Sequence, residues 1–189
     1  MTKKQTNTGF PKPVQKLLRA VLRKIVVKEN VEVGPNFRPG RGVVVYAPHR
    51  LSIGSNVSVG PRTIIQVDGE IGDFALIGMG VQIVGREDHA VDEVGVPIAE
   101  STWIGDRPGA ARDSVSIGRD VWIGGSSVIL SGVVIGEGSI IGAGSVVTKD
   151  IPAFSIAVGN PARVVRRRFS SILDEETHSR ALDGRSTNG

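Results

Sequence analysis

The 189-residue chain contains no cysteine. That excludes a disulfide scaffold, a thiolate zinc site and a cysteine nucleophile, and it suits a reducing location, expected to be the cytoplasm. Aromatic residues make up only 4% of the sequence, which suits a narrow core. No apolar run approaches the roughly 18 residues needed to cross a bilayer. The basic opening, MTKKQTNTGFPKP, is not followed by a short apolar stretch with a small-residue cleavage site, so no signal peptide is expected. Charge of one sign is not in great excess either: 23 Lys and Arg stand against 19 Asp and Glu. So small a surplus favours anionic partners in general and gives no indication of nucleic acid.

What the chain has in quantity is glycine, 25 residues, and a repeat. Stepping by six from Ile53 gives Ile53, Val59, Ile65, Ile71, Ile77 and Ile83; stepping again from Ile117 gives Ile117, Ile123, Ile129, Ile135, Ile141 and Val147, and only Ala153 breaks the series. Gly often follows the aliphatic, as at Gly54, Gly60, Gly118 and Gly124, and four places after it sits a small or β-branched residue such as Val57, Thr63, Val121 or Ser127. A period of six does not fit the 3.6 of an α-helix but is a multiple of the strand period of two. Each hexad therefore reads as a short strand ending in a turn, and three hexads make one triangular coil. Stacked coils would be parallel strands about 4.8 Å apart, with the aliphatics in buried ladders and Gly giving the backbone freedom to bend. The expected fold is an all-β solenoid, a parallel β-helix; the spacing does not fix its hand.

The two runs are out of phase, and the interval from Gly85 to Ser114 lacks the pattern. It is expected to leave the prism as one long extruded loop, and ordered loops of that length are usually functional. The expected organisation is an N-terminal extension (1–34), a β-helix domain (35–169) and a polar C-terminal tail (170–189) that frays. Within the extension, Val14, Leu17, Leu18, Val21, Leu22, Ile25 and Val26 follow helical spacing opposite Lys16, Arg19, Arg23 and Lys24. This predicts a basic amphipathic helix, which would cap the open end of the solenoid or touch an anionic membrane surface. Val164 to Leu173 reads as a short strand or helix with an Arg run.

Only three histidines are present. His178 is expected to be solvated in the tail, and His49 to be a surface residue of an early coil. His89 falls in the extruded loop beside Glu87, Asp88 and Asp92, and an imidazole there suits general-base work near neutral pH. A carboxylate or a backbone carbonyl would fix its tautomer; the sequence does not say which. Gly125 and Ala143 are eighteen residues apart, so they stack, and two small residues in register leave a slot for a thin ligand arm or merely ease a turn. Lys149, Arg163, Arg166, Arg167 and Arg168 could hold phosphates or form a solvated face.

The segment from Ser114 to Phe169, with its strings DVWIG, IGAGSVVTKDIP and GNPARV, closely resembles the hexapeptide-repeat acyltransferases, in particular the galactoside and maltose O-acetyltransferases and polysaccharide-modifying relatives. The resemblance, from about Ile53 to Phe169, implies a left-handed β-helix, acetyl-CoA or another acyl-CoA as co-substrate with no permanently bound cofactor, and a homotrimer whose active sites lie between prisms. It implies His89 as the catalytic base, Trp122 lining the coenzyme channel, Gly125 and Ala143 flanking the pantetheine arm, Thr148 and Lys149 near the nucleotide end, and Arg163 and Arg166 near the phosphates. The loop is longer than in the galactoside enzymes, which leaves the acceptor open; Gln66, Asp68 and Asp92 are expected on that side. The implied reaction is acetyl transfer to a hydroxyl of a sugar or glycan intermediate, with an amino sugar or other small amine as the alternative acceptor. Zinc hydration, carried by another family of this fold, needs three histidine ligands; none are closely spaced, and no metal site is expected. A scaffold with a decayed site would bind no coenzyme A, and the long threonine rows of an ice-binding surface are lacking.

Overall fold

The computed structural model describes residues 26–28 and 30–186. The expected amphipathic helix lies outside them except for Val26, which is buried against the first coil. Seventeen strands form three sheets. The first coil comprises β1 (Val31–Val33), β2 (Arg38–Pro39) and β3 (Val44–Tyr46); the second comprises β4 (Leu51–Ile53), β5 (Ser58–Val59) and β6 (Ile64–Gln66). The third is β7 (Asp68–Ile71), β8 (Leu76–Ile77) and β9 (Gln82–Val84); the fourth is β10 (Ser114–Ile117), β11 (Trp122–Ile123) and β12 (Val128–Leu130). The fifth is β13 (Val134–Ile135), β14 (Ile140–Ile141) and β15 (Val146–Val147). Strands β16 (Ser155–Gly159) and β17 (Ala162–Arg167) extend the second sheet, β17 antiparallel. The solenoid thus begins at Val31, ahead of the boundary expected at 35.

The hexad ladders are the core. All twelve Ile and Val positions of the two runs are at most 3% exposed. Coils pair with an offset of eighteen, as in Ile64 to Gln82 and Trp122 to Ile140. The last coil is shorter: Ile151, not Ala153, continues the ladder, bridging Ile135. The small residues are buried as well, and their hydroxyls join adjacent coils. Ser127 Oγ donates to the Gly142 carbonyl at 3.0 Å, and Ser139 Oγ to that of Pro152 at 2.7 Å.

One detail of the repeat is corrected. The bend does not fall on the Gly that follows each aliphatic. Positive φ values occur two residues later, at Asn56, Arg62, Phe74, Asp120 and Ser126. The early Gly is required by close approach instead: a Cβ at Gly118 would lie 2.6 Å from the Glu137 amide nitrogen of the next coil.

Strand β7 pairs with β10, Asp68 beside Ser114. The residues between β9 and β10 are thus inserted at one corner without disturbing the stack. They hold three 3-10 turns, Ile98–Glu100, Ile104–Asp106 and Ala111–Asp113.

The C-terminal segment is not a frayed tail. Helix α1 (Ile172–Ser186) lies against the corner between the first and second sheets. Arg119 pairs with Asp183 and, at 3.0 Å, with Glu137, while Arg167 pairs with Glu175. His178, expected in solvent, directs Nε2 at Asp120 at 2.8 Å and packs against Phe154 and Phe169. No described helix is long and apolar enough to cross a membrane.

Candidate functional site

The loop is fastened to the prism at both ends. Arg86, just after β9, donates through Nε and Nη2 to the Ser131 carbonyl and through Nη2 to the Thr148 carbonyl, at 3.1–3.3 Å. Its amide donates to Ser131 Oγ, and that hydroxyl donates to the Arg112 carbonyl at the far end of the loop. The Arg107 guanidinium reaches Glu87 at 3.5 Å and Asp113 at 3.4 Å, so one side chain joins the outgoing and returning arms.

His89 lies half-buried within a short antiparallel contact. It bridges Trp103, and the Ala90 amide donates to the Thr102 carbonyl. The His89 Nδ1 lies 2.8 Å from the Ser101 carbonyl oxygen. A carbonyl only accepts, so Nδ1 carries the proton and the lone pair of the neutral ring sits on Nε2. Nε2 has no hydrogen-bond partner among the described residues. A backbone carbonyl, rather than one of the flanking carboxylates, therefore fixes the tautomer. Ser101 is buried, and its Oγ lies 2.8 and 2.9 Å from the Ala90 and Ile98 carbonyls, which holds the accepting peptide in place.

The other expected residues fall on separate parts of the prism. Trp122 is half-exposed on the second sheet, between Leu76 and Ile140 of the neighbouring coils. Gly125 and Ala143 stack at the corner between the second and third sheets, where the Gly144 amide donates to the Gly125 carbonyl at 2.9 Å. A Cβ on Gly125 would meet the Met79 carbonyl oxygen at 3.2 Å. Thr148 and Lys149 lie at the other end of β15, at the corner from which the loop departs; Arg163 and Arg166 are exposed on β17. Gln66 and Asp92 are exposed. Asp68 is not: it is buried, and both its oxygens accept hydrogen bonds within the chain.

Asp68 leads to His49, which the sequence suggests is a surface residue of an early coil and which is instead tied into the chain. His49 Nδ1 lies 2.7 Å from Asp68 Oδ2, and His49 Nε2 lies 2.8 Å from the Arg107 carbonyl oxygen. Asp68 Oδ1 accepts from the amides of His49 and Arg50 at 2.8 and 2.9 Å. The hydrogen bond to Asp68 is the main reason that the imidazole pKa is raised above its usual 6.5, with partial desolvation opposing it. A sequence signal existed: the first coil pairs with the second at an offset of twenty, Val31 to Leu51, and the additional residues fall in the turn that holds His49.

Two open clefts flank the loop. One of about 930 Å³ runs over the first sheet, lined by Arg50, Ser52, Glu70, Arg86, Arg112 and Val134 among others. A smaller one of about 350 Å³ is bordered by His49, Asp68, Gly109 and Ser114. Neither is lined by His89 or Trp122. No trio of metal-ligating side chains comes together among the described residues.

Comparison with known proteins places this geometry. The profile of the bacterial transferase hexapeptide family (six repeats) matches residues 114–149. The chloramphenicol acetyltransferase of Agrobacterium fabrum is 37% identical over 110 residues, 52% of this chain and 51% of that protein. The chain spans 34–51% of the length of the curated relatives it matches. A maltose O-acetyltransferase from Clostridium difficile 630 is 30% identical, with a TM-score of 0.55 over 87% of this chain and 81% of that one. A mutant of AntD, an N-acyltransferase from Bacillus cereus in complex with dTDP-4-amino-4,6-dideoxyglucose and coenzyme A, has a TM-score of 0.58 over 94% of this chain and 100% of that one, at 21% identity. At that identity the likeness speaks for the fold alone.

Proposed function

This chain belongs to the hexapeptide-repeat acyltransferase family, and from that premise we propose that it transfers an acetyl group from coenzyme A to a hydroxyl of a sugar or glycan intermediate. The observation that carries the proposal is the hydrogen bond from His89 Nδ1 to the Ser101 carbonyl. It leaves Nε2 as the proton acceptor of a neutral imidazole on a loop fastened at both ends.

The reaction balances with these groups. His89 Nε2 takes the hydroxyl proton as the acceptor oxygen attacks the thioester carbonyl carbon. The carbon–sulfur bond breaks, and the departing thiolate takes the proton back from the imidazolium, giving an O-acetyl ester and free coenzyme A. No covalent acyl-enzyme is required.

Trp122 and the Gly125–Ala143 slot line the coenzyme arm, Thr148 and Lys149 meet its nucleotide end, and Arg163 and Arg166 meet its phosphates. In one chain the slot and the Thr148–Lys149 corner occupy different edges of the prism. That separation supports a trimer in which the edge of one subunit faces the loop of the next and His89 meets Trp122 across the interface; the left hand of each prism rests on the family resemblance. Gln66 and Asp92 remain exposed for the acceptor.

Thiol release from acetyl-CoA, measured with a panel of sugars and amino sugars, tests the reading. Turnover that requires a hydroxyl acceptor is expected. Turnover only with amines would replace the acceptor class, and no coenzyme A binding by calorimetry would reject the transferase.

A further inference from the structure

We propose that His49 is a positioning residue for the transfer reaction, clamping Asp68 and Arg107 through its two ring nitrogens and so holding the segment that carries His89. The proposal rests on the reading of His89 as the base.

The geometry sets a condition. A carboxylate and a peptide carbonyl both only accept hydrogen bonds, so contacts of 2.7 and 2.8 Å at the two nitrogens require two N–H donors. Neutral imidazole has one; the imidazolium has two. Asp68 cannot turn away, because its other oxygen is held by the His49 and Arg50 amides. From Arg107 the path continues through its guanidinium to Asp113 and to Glu87, two residues before His89. Asp68, His49, Arg107 and Glu87 therefore form one connected network from the third coil to the base. The turn that holds His49 is also where the first coil exceeds the regular offset, so the chain departs from its repeat at the point where the clamp is built.

The charges facing His49 are few. Asp68 comes from β7. Arg50, in the same turn, directs its guanidinium toward Glu32 at 3.5 Å. Arg107, from the loop, presents its carbonyl to the ring while its cation faces Glu87 and Asp113. Gly109 and Ser114, which complete the surroundings, carry no charge. The carboxylate is thus the dominant influence, and it favours the charged ring, in keeping with the raised pKa. A raised pKa means that the doubly bonded clamp is intact below it and loses one hydrogen bond as the pH rises through it. The clamp therefore predicts an alkaline limb in the pH profile, set by His49.

The test compares His49→Ala, Asp68→Asn and His89→Ala with the wild type in the thiol-release assay across pH. Loosening the loop by about an ångström is expected to lower kcat about 10- to 100-fold in His49→Ala and to leave KM for acetyl-CoA within about twofold. The alkaline limb should vanish in His49→Ala and move to lower pH in Asp68→Asn, a shift that a purely structural role would not produce. Proton NMR of His49 supplies the matching titration, expected to move down in Asp68→Asn, and amide hydrogen exchange over residues 85–113 should quicken in both variants. An unchanged alkaline limb in Asp68→Asn, or wild-type kcat in His49→Ala, overturns the proposal; if His49→Ala does not fold, Asp68→Asn decides. Full activity in His89→Ala would instead overturn the base, and the clamp would then stand or fall on exchange and titration alone.

Discussion

Ile135→Ala is the sharpest test of the ladder register. Ile135 is fully buried and sits in one column with Ile117 below and Ile151 above. The substitution removes three carbons, about 2.4 kcal/mol of transfer free energy at about 0.8 kcal/mol per methylene. The neighbouring coils are held by backbone ladders on both sides, so the cavity cannot collapse far, and a total of about 3–4 kcal/mol follows. Its immediate neighbour Val134 points outward and is half-exposed. Val134→Ala should cost about 1 kcal/mol or less by the same arithmetic. Urea unfolding of both variants, followed by circular dichroism, measures the difference, with stacked coils read as a sum of local terms if the transition broadens. Equal losses, or a larger loss at Val134, would refute the assigned register, because a slip of one residue exchanges the two faces.

Other substitutions test other parts of the account. Gly69 has φ +128°, and a Cβ there would collide with the Val115 carbonyl, so Gly69→Ala should destabilise the third and fourth coils by about 3 kcal/mol or more, visible as loss of soluble protein or a large fall in Tm. Gly125→Val narrows the slot beside Met79 and should raise KM for acetyl-CoA about tenfold or more with kcat little changed, the signature of lost binding rather than lost chemistry. Asp120→Ala removes the shared partner of Arg168 and His178, and should loosen α1 by about 1–3 kcal/mol, seen as faster amide exchange over residues 172–186.

Much of the fold was legible because burial in a β-helix repeats at fixed intervals. Every Ile and Val of the two hexad runs lies in the core, and the eighteen-residue stacking of Gly125 over Ala143 follows from the same count. What escaped was set by contacts distant in sequence or by charge. His49 reads as a surface residue until Arg107, 58 positions away, arrives to bond it. Helix α1 has few buried apolar residues, Leu182 among them, and is held largely by ion pairs, so no hydrophobic period announced it. The bends fall two residues beyond the Gly that the sequence points to, because Gly serves both turns and close approach and only the backbone angles separate the two. The break in phase puts His89 in the loop, but the group that its Nδ1 bonds is not legible in the sequence, because the Ser101 carbonyl carries no side-chain signature.

Loss of the imidazole at position 89 measures the central claim most directly. Replacing His89 with Ala should lower kcat for acceptor-dependent thiol release from acetyl-CoA by about 10²–10⁴-fold, with the calorimetric Kd for coenzyme A unchanged, because the proposed mechanism gives the ring a proton to move and no part in holding the coenzyme. Undiminished turnover in His89→Ala would contradict the account.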